Sequence, residues 1–194
     1  MMCEIIQRAL GAGIALALAT AACATSVPSL TFEELTDKSA FVLTGQVNRS
    51  WTAWDNEHKF IWTYYEIGVT SVQKGAPGPT VVVSEPGGVV GDRGMSIPGS
   101  VAYAPGDRVA LFLQRMPNGY LRTTGWGQGK YVIDPSGHLH VDTSLRGLEV
   151  VHAVKAGVAT PPGTSLRALD GISVAELGVR VSARVRAQRQ AAAK

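Results

Sequence analysis

The sequence predicts a mainly β fold, in which short antiparallel strands form a small closed or partly open barrel flanked by a short N-terminal helix and a C-terminal amphipathic helix. Short runs of β-branched and aromatic residues recur along the chain. The 22 glycines and ten prolines cluster between these runs, as turns between short strands require. The longest run extends from Phe60 to Gly75. A bulge or bend near Thr70 and Ser71 would return Val72 to the core side of this strand and let it curl into a barrel.

Residues 1–23 have the pattern of an export signal. Arg8 precedes fourteen uncharged, mainly apolar residues, 9–22, a run too short to span a bilayer comfortably. Ala22-Cys23-Ala24 fits cleavage by ordinary signal peptidase, whereas Thr20-Ala21-Ala22-Cys23 resembles a bacterial lipoprotein box in which Cys23 becomes the lipidated first residue. Both interpretations stay open. We expect an exported protein, either a periplasmic or outer-membrane lipoprotein or a secreted protein.

Cysteine content and charge exclude several classes of function. Cys3 and Cys23 are the two cysteines, so the chain beyond the signal can form neither an internal disulfide nor a cysteine metal cluster. Residues 166–194 carry six basic and two acidic side chains, while residues 24–165 carry eleven basic and twelve acidic ones. The basic isoelectric point therefore comes from the C-terminal tail, and with export this argues against a nucleic-acid partner.

The chain after the signal divides into three parts. Residues 24–39 form a linker and a short helix that begins with a capping box at Thr31 and Glu34. Residues 40–158 form the barrel, with predicted strands over 40–47, 60–73, 79–84, 109–113, 120–126, 129–133 and 138–141. The valine-rich strand 79–84 lacks alternation, which predicts burial on both faces or a contact with a helix. Residues 159–194 form a linker and a helix that begins at a second capping box, Ser173 and Glu176, and ends in a fraying basic tail from Gln188.

Two segments between strands are candidate interaction loops. Residues 48–59 are polar with aromatic interruptions and are predicted to be a hairpin loop or the frayed ends of two strands; they contain Trp51 and Trp54. Residues 86–100 form a long glycine-rich loop that contains Arg93 and Met95. Trp51 and Trp54 are the more plausible surface anchors, whereas Trp62 and Trp126 are expected in or near the core.

The candidate catalytic and metal-binding residues form no specific motif. His138 and His140 have strand spacing and would share a face, where Asp142 or His152 could complete a zinc or copper site. Glu66 and Glu85 lie on different strands, so their separation is not defined by the sequence, and the serines lack a G-x-S-x-G context. We therefore predict no catalytic residue and no cofactor, with a metal-dependent enzyme through His138 and His140 as the minor alternative.

The order of segments resembles known exported proteins. The chain resembles a group of uncharacterised exported bacterial proteins in the order of five segments. These are the run from Ser39 to Val47, the run from Tyr64 to Gly75, the valine-rich strand 79–84, the glycine-rich loop and the run from Pro105 to Leu113. More distantly, they are similar to the netrin-like module of the tissue inhibitors of metalloproteinases, which implies an OB-like five-stranded barrel. Those inhibitors are rich in disulfides and bind the protease zinc through a free N-terminal cysteine. Here the predicted barrel contains no cysteine, and although Cys23 could become the first residue, the lipoprotein route would acylate the amine that binds the zinc.

Together these observations predict a non-catalytic binding module. Its expected partner is an envelope or extracellular protein, an exported peptidase being one candidate, with membrane contact only through a lipid anchor on Cys23. A glycan-binding module that uses Trp51 and Trp54 is the alternative.

Overall fold

The computed structural model describes residues 25–142, 148–151 and 168–193. The predicted signal with Cys23, and the predicted boundary between residues 158 and 159, lie outside the described residues. The elements in chain order are β1 (Thr25–Pro28), α1 (Phe32–Lys38), β2 (Phe41–Trp54), β3 (Ile61–Lys74), β4 (Thr80–Pro86), β5 (Gly88–Val90), β6 (Arg93–Met95), β7 (Arg108–Arg115), β8 (Leu121–Thr123), a 3-10 helix (Trp126–Gly129), β9 (Lys130–Ile133), β10 (Leu139–Val141), β11 (Leu148–Val151) and α2 (Val174–Ala192).

Five strands close into a ring. The main sheet has the order β10-β9-β7-β2-β3-β4-β8. An additional pairing of β8 with β7 closes the ring β2-β3-β4-β8-β7 and leaves β9 and β10 outside it. The pairs within this ring are antiparallel except β4 and β8, which meet in parallel where Val83 lies opposite Leu121. The predicted fold class, a mainly β, small, partly closed OB-like barrel with a short N-terminal helix and a C-terminal helix, is confirmed.

The β2–β3 pair curls through shifts in register. Thr44 lies opposite Ser71 and Gly45 opposite Val69, so Thr70 is an extra residue on β3. This bulge is where the sequence predicts it. The expected consequence for Val72 is wrong, because this side chain is 44% exposed and lines a groove beside α2.

Gly45 allows the closest approach between the two strands. A Cβ atom at this position would lie 2.5 Å from the carbonyl oxygen of Gly68 and 2.8 Å from a methyl group of Ile67. Only glycine therefore fits at this bend in β2.

Apolar side chains form two cores, one on each side of the sheet. The core inside the ring contains Leu43, Val47, Tyr65, Ile67, Val81, Val83, Val101, Tyr103, Val109, Leu111, Leu113 and Leu121. The second core, between the sheet and the two helices, contains Leu35, Val42, Ala110, Phe112, Tyr131, Ile133, Leu139, Leu169, Leu177 and Val181.

Burial along strand β4 changes halfway. Val81 and Val83 lie in the ring core and Val82 between them is 41% exposed, but Ser84 and Glu85, which lie on opposite faces of the strand, are both buried. The prediction of burial on both faces is therefore wrong for residues 80–83 and correct for the end of the strand.

Both helices begin where the sequence predicts. The reciprocal capping box of Thr31 and Glu34 opens α1, and the Ser173 hydroxyl accepts a hydrogen bond from the Glu176 amide at the start of α2. Glu176 uses its carboxylate for Arg180 instead of closing a second box.

The C-terminal end of α2 is held by α1. The carboxylate of Asp37 accepts hydrogen bonds from Arg184 and Gln188, so the helix continues to Ala192 instead of fraying from Gln188. In the part of the chain that the structure describes, neither helix has the length and apolar composition needed to cross a bilayer.

Candidate functional site

Residues 48–59, predicted as a hairpin loop or the frayed ends of two strands, form the end of one strand and the turn of a regular two-stranded ribbon. Strand β2 continues to Trp54 and β3 begins at Ile61, leaving a short turn closed by a 2.8 Å hydrogen bond from the Asp55 amide to the Phe60 carbonyl. Opposite residues of high strand propensity continue the ladder between β2 and β3 in this segment, and Trp51 opposite Tyr64 is one such pair. Trp51 and Trp54 are therefore in a strand and not in a loop.

Trp51 and Trp54 point to opposite sides of this ribbon. They are three positions apart, and successive side chains of a strand alternate between its faces. Trp51 shares a face with Tyr64 and Trp62 on β3, because these lie opposite Trp51 and Ala53. Trp54 lies on the other face, where its ring stacks on that of His58 at 6.2 Å.

On the Trp51 side, aromatic rings and two guanidinium groups form a continuous chain of contacts, which we call the aromatic face. The Trp51 ring stacks on Tyr64 with centroids 5.5 Å apart, and Tyr64 meets Tyr120 edge-on at 5.9 Å. Tyr120 in turn contacts Trp62 at 6.2 Å. The members of the aromatic face are Arg49, Trp51, Trp62, Tyr64, Tyr120, Arg122 and Trp126.

Arg49 stands at one end of this chain of rings, and Arg122 bridges the last two rings at the other end. The Arg49 guanidinium lies 5.1 Å from the centroid of Trp51 and also pairs with Glu66. Arg122 lies over two rings, 5.7 Å from the centroid of Trp62 and 5.1 Å from that of Trp126. These cation–π contacts fix the rings in place.

Part of the aromatic face is exposed and part is buried. Trp51 and Tyr120 are 38% and 39% exposed, whereas Trp62 and Trp126 are half-buried as predicted. Burial and the neighbouring Tyr120 hydroxyl raise the pKa of Tyr64 to about 12, so its hydroxyl is neutral at physiological pH.

A groove of about 440 Å³ continues from the aromatic face along the outer side of β4. Tyr64 and Tyr120 form one wall, and the exposed Val82 lies in the lining. Arg115 contributes a cation to the lining, and its guanidinium lies 5.5 Å from the ring centroid of Phe41.

A buried carboxylate lies beneath Arg122. Glu85 is 1% exposed, and its Oε1 accepts hydrogen bonds from the amide of Thr123 at 2.9 Å and from its hydroxyl at 2.7 Å. Its Oε2 lies 3.6 Å from an Arg122 nitrogen without a hydrogen bond. Burial raises the pKa of the Glu85 carboxyl, because desolvation outweighs the hydrogen bonds and the nearby cation.

A second buried pair lies on the other side of Tyr103. The ammonium group of Lys130 donates hydrogen bonds to the Asp142 carboxylate and the Ala102 carbonyl, and lies 4.6 Å from the centroid of the Tyr103 ring. Tyr103 is in turn bonded through its hydroxyl to Thr123. Glu85 and Lys130 are thus linked through Thr123 and Tyr103, by hydrogen bonds as far as the Tyr103 hydroxyl and by a cation–π contact from the Tyr103 ring to Lys130.

The glycine-rich loop lies on the Trp54 side of the ribbon. The Thr52 hydroxyl donates to the carbonyl of Val89, and the Thr63 hydroxyl donates to the carbonyl of Gly87. A Cβ atom on Gly88 would lie within 2.8 Å of both threonine side chains, so glycine is required where β5 crosses the ribbon. The loop forms a small hairpin, β5 and β6, instead of an irregular excursion.

The predicted interaction residues are therefore divided between two surfaces. Arg93 is exposed and Met95 is half-buried on the β5–β6 hairpin, on the same side as Trp54. Trp51 belongs to the aromatic face on the other side, together with Tyr64, Tyr120 and Arg122, which the sequence analysis does not single out.

His138 and His140 are held by an acidic turn. His140 Nε2 lies 3.0 Å from an oxygen of Asp134, and its Nδ1 lies 3.7 Å from Asp170. His138 Nδ1 lies 3.0 Å from the hydroxyl of Ser136. The pKa of the Asp134 carboxyl lies well below its usual range because it accepts hydrogen bonds from the His138 amide, the His140 imidazole and the Ser136 hydroxyl.

These groups do not assemble into a metal site in the described part of the chain. Asp142, one proposed third ligand, bonds to Lys130, and His152, the other, lies outside the described residues. Within residues 25–142, 148–151 and 168–193, no group of three histidine, cysteine, aspartate or glutamate side chains is placed to hold a metal ion. Glu66 and Glu85 also have separate partners, Arg49 and Thr123.

Comparison with models of known protein families gives no match, and no curated protein is similar in sequence.

Proposed function

We propose that this chain is an exported, non-catalytic binding module of the bacterial envelope that recognises a partner protein through its aromatic face. The observation that carries the proposal is the continuous chain of contacts from Arg49 to Trp126, which remains partly exposed at Trp51 and Tyr120. Tryptophan, tyrosine and arginine are the residues that most often dominate the energy of protein–protein interfaces.

The rigidity of these side chains supports the proposal. The Trp51 ring stacks on Tyr64, and the Arg122 guanidinium lies over two rings. Side chains that are already ordered lose little conformational entropy when a partner binds. The Glu85 and Thr123 hydrogen bonds below Arg122 extend this order into the barrel.

The neighbouring groove indicates the chemistry of the partner. Its aromatic wall, the exposed Val82 and the Arg115 cation suit a protein segment with an apolar side chain next to an acidic one. An exported peptidase, which the resemblance to netrin-like modules implies, is one such partner.

The contacts of Trp51 favour a protein over a glycan. Sugars bind to the open face of an aromatic ring, but Trp51 already contacts the Tyr64 ring and the Arg49 guanidinium. Among the described residues, no group of three histidine, cysteine, aspartate or glutamate side chains is placed to hold a metal ion, so nothing there favours the alternative of a metal-dependent enzyme.

The two tryptophans supply a matched test. Affinity capture from the native cell envelope is compared for the wild type, Trp51→Ala and Trp54→Ala. We expect the same specific partner from the wild type and Trp54→Ala, and its loss from Trp51→Ala. Equal recovery by Trp51→Ala would refute the role of the aromatic face.

A fluorescence titration tests the glycan alternative. Titration of the purified protein with soluble cell-wall glycan fragments should leave tryptophan fluorescence unchanged. A saturable shift that Trp51→Ala abolishes would replace the protein partner with a glycan ligand.

A further inference from the structure

One edge of strand β2 has no ladder partner in the described part of the chain. Strand β7 pairs with β2 from Phe41 to Gln46. The last contacts on this edge join Val47 to Asp107 and Gly106 by backbone hydrogen bonds of 2.9 and 2.8 Å. From Arg49 to Trp54, β2 pairs with β3 on one side only.

The alternation of the ladder identifies the backbone groups on this free edge. The amide of Gly87 bonds to the carbonyl of Ile61, and the amide of Val69 bonds to the carbonyl of Pro79, so the odd-numbered residues of β3 face β4. The even-numbered residues of β3 therefore bond to β2, where their partners are Arg49, Trp51 and Ala53. The amides and carbonyls of Ser50, Thr52 and Trp54 consequently point outward.

We propose that a second copy of this chain pairs antiparallel with this edge, with the two-fold axis at Thr52. In this register Thr52 lies opposite Thr52 of the second copy, and Ser50 lies opposite Trp54. The three outward residues of each copy then meet the outward residues of the other, and every pair exchanges two backbone hydrogen bonds.

The side chains of the edge are complementary to themselves in this register. Arg49 lies opposite Asp55 of the second copy, which places opposite charges together at both ends of the pairing. Trp51 lies opposite Ala53, which places a large side chain beside a small one. An unrelated strand would not be expected to match both pairs, so these features favour a second copy as the occupant.

The free edge also has the length and openness that this pairing needs. It begins just beyond the contact of Val47 with Asp107 and ends at the turn that starts with Asp55. From Arg49 to Trp54 it contains no proline or lysine, the residues that commonly protect an edge strand. Arg49, the charged residue of this stretch, pairs with Glu66 at 2.7 Å through two of its five N–H donors, which leaves donors for Asp55 of the second copy.

Dimerisation would also extend the proposed binding surface. The Trp51 side chains of both copies would lie on the same side of the joined sheet, which would bring two aromatic faces together. The pairing does not depend on the partner protein, so a monomeric protein would leave the proposed function standing. One strand pair belongs to the small class of interfaces, below about 1,200 Å², and we expect a concentration-dependent dimer.

Sedimentation of the purified protein with a pair of variants at one position tests the proposal. Ser50→Pro removes an outward amide that makes no hydrogen bond to β3, and an edge strand tolerates proline at such a position. Ser50→Ala keeps the amide and is the control. We expect dimers of the wild type and Ser50→Ala at high concentration and a folded monomer of Ser50→Pro. A monomeric wild type at every concentration, or a folded Ser50→Pro dimer, would overturn the proposal.

Disulfide trapping tests the register without proline. In a background with both native cysteines replaced, Cys3→Ser and Cys23→Ser, Thr52→Cys should form a disulfide-linked dimer on mild oxidation, because directly opposite hydrogen-bonded residues have Cα atoms about 5.5 Å apart. Ser50→Cys, which would face Trp54, should remain largely monomeric. Equal trapping of the two variants, or none of Thr52→Cys, would overturn the two-fold pairing.

Discussion

Replacing Ile67 by alanine tests the barrel at its centre. Ile67 is fully buried in the ring core, opposite Val47 on one neighbouring strand and Val81 on the other. The substitution removes three carbon atoms, worth roughly 2.4 kcal/mol at about 0.8 kcal/mol each. The cavity that remains adds to this loss, so we expect the free energy of unfolding to fall by about 2–5 kcal/mol.

Urea denaturation followed by tryptophan fluorescence measures this loss. For a loss of about 3 kcal/mol and a slope of about 1–3 kcal/mol per molar, the midpoint should fall by about 1–3 M. Val82→Ala is the matched control, because Val82 is exposed on the adjacent strand and its loss should change stability by no more than about 0.5 kcal/mol. Equal stability of the two variants would refute the assignment of Ile67 to the core.

Three further predictions test the polar contacts. Lys130→Ala leaves Asp142 buried without its cation, so the free energy of unfolding measured by thermal denaturation should fall by about 3–5 kcal/mol. The double variant Lys130→Met with Asp142→Leu should recover most of this stability. A loss below about 1 kcal/mol for Lys130→Ala would contradict the buried pair. Burial raises the pKa of the Glu85 carboxyl above 4.5, so protonation of Glu85 stabilises the native state. As the pH rises through that raised pKa, the wild type should therefore lose stability relative to Glu85→Gln. Parallel profiles of stability against pH for the two proteins would contradict this. Asp37→Asn should speed amide exchange near Arg184 at a cost of at most about 1 kcal/mol, and unchanged exchange would contradict the anchoring of α2.

The strands and helix starts could be predicted because their causes are local. Glu34 follows Thr31 at capping-box spacing, and the alternation of Tyr65 and Ile67 marks the buried face of β3. The bulge at Thr70 could also be inferred, since the apolar side chains change parity there. The exposure of Val72 depends on how α2 packs on the sheet, which no local pattern contains.

The aromatic face could be predicted only in part. Trp51 and Trp54 are three positions apart, so a strand that continued to Trp54 would place them on opposite faces. The polar residues around them, however, indicate a loop. The two-residue spacing of Trp62 and Tyr64 was a second usable signal. Tyr120 joins the surface through the closure of the barrel by β8, a contact between distant segments that the sequence does not specify.

Site-specific photo-crosslinking tests the central claim, that the aromatic face binds a partner protein, most directly. A photoreactive phenylalanine replaces Tyr120, which is 39% exposed, or Val179 on α2, a control that is 68% exposed. After irradiation of the native host, we expect a discrete protein adduct from position 120 and none from position 179. The adduct from position 120 should disappear when Trp51→Ala is added. The same adducts from both positions, or an adduct at position 120 that survives Trp51→Ala, would contradict the claim.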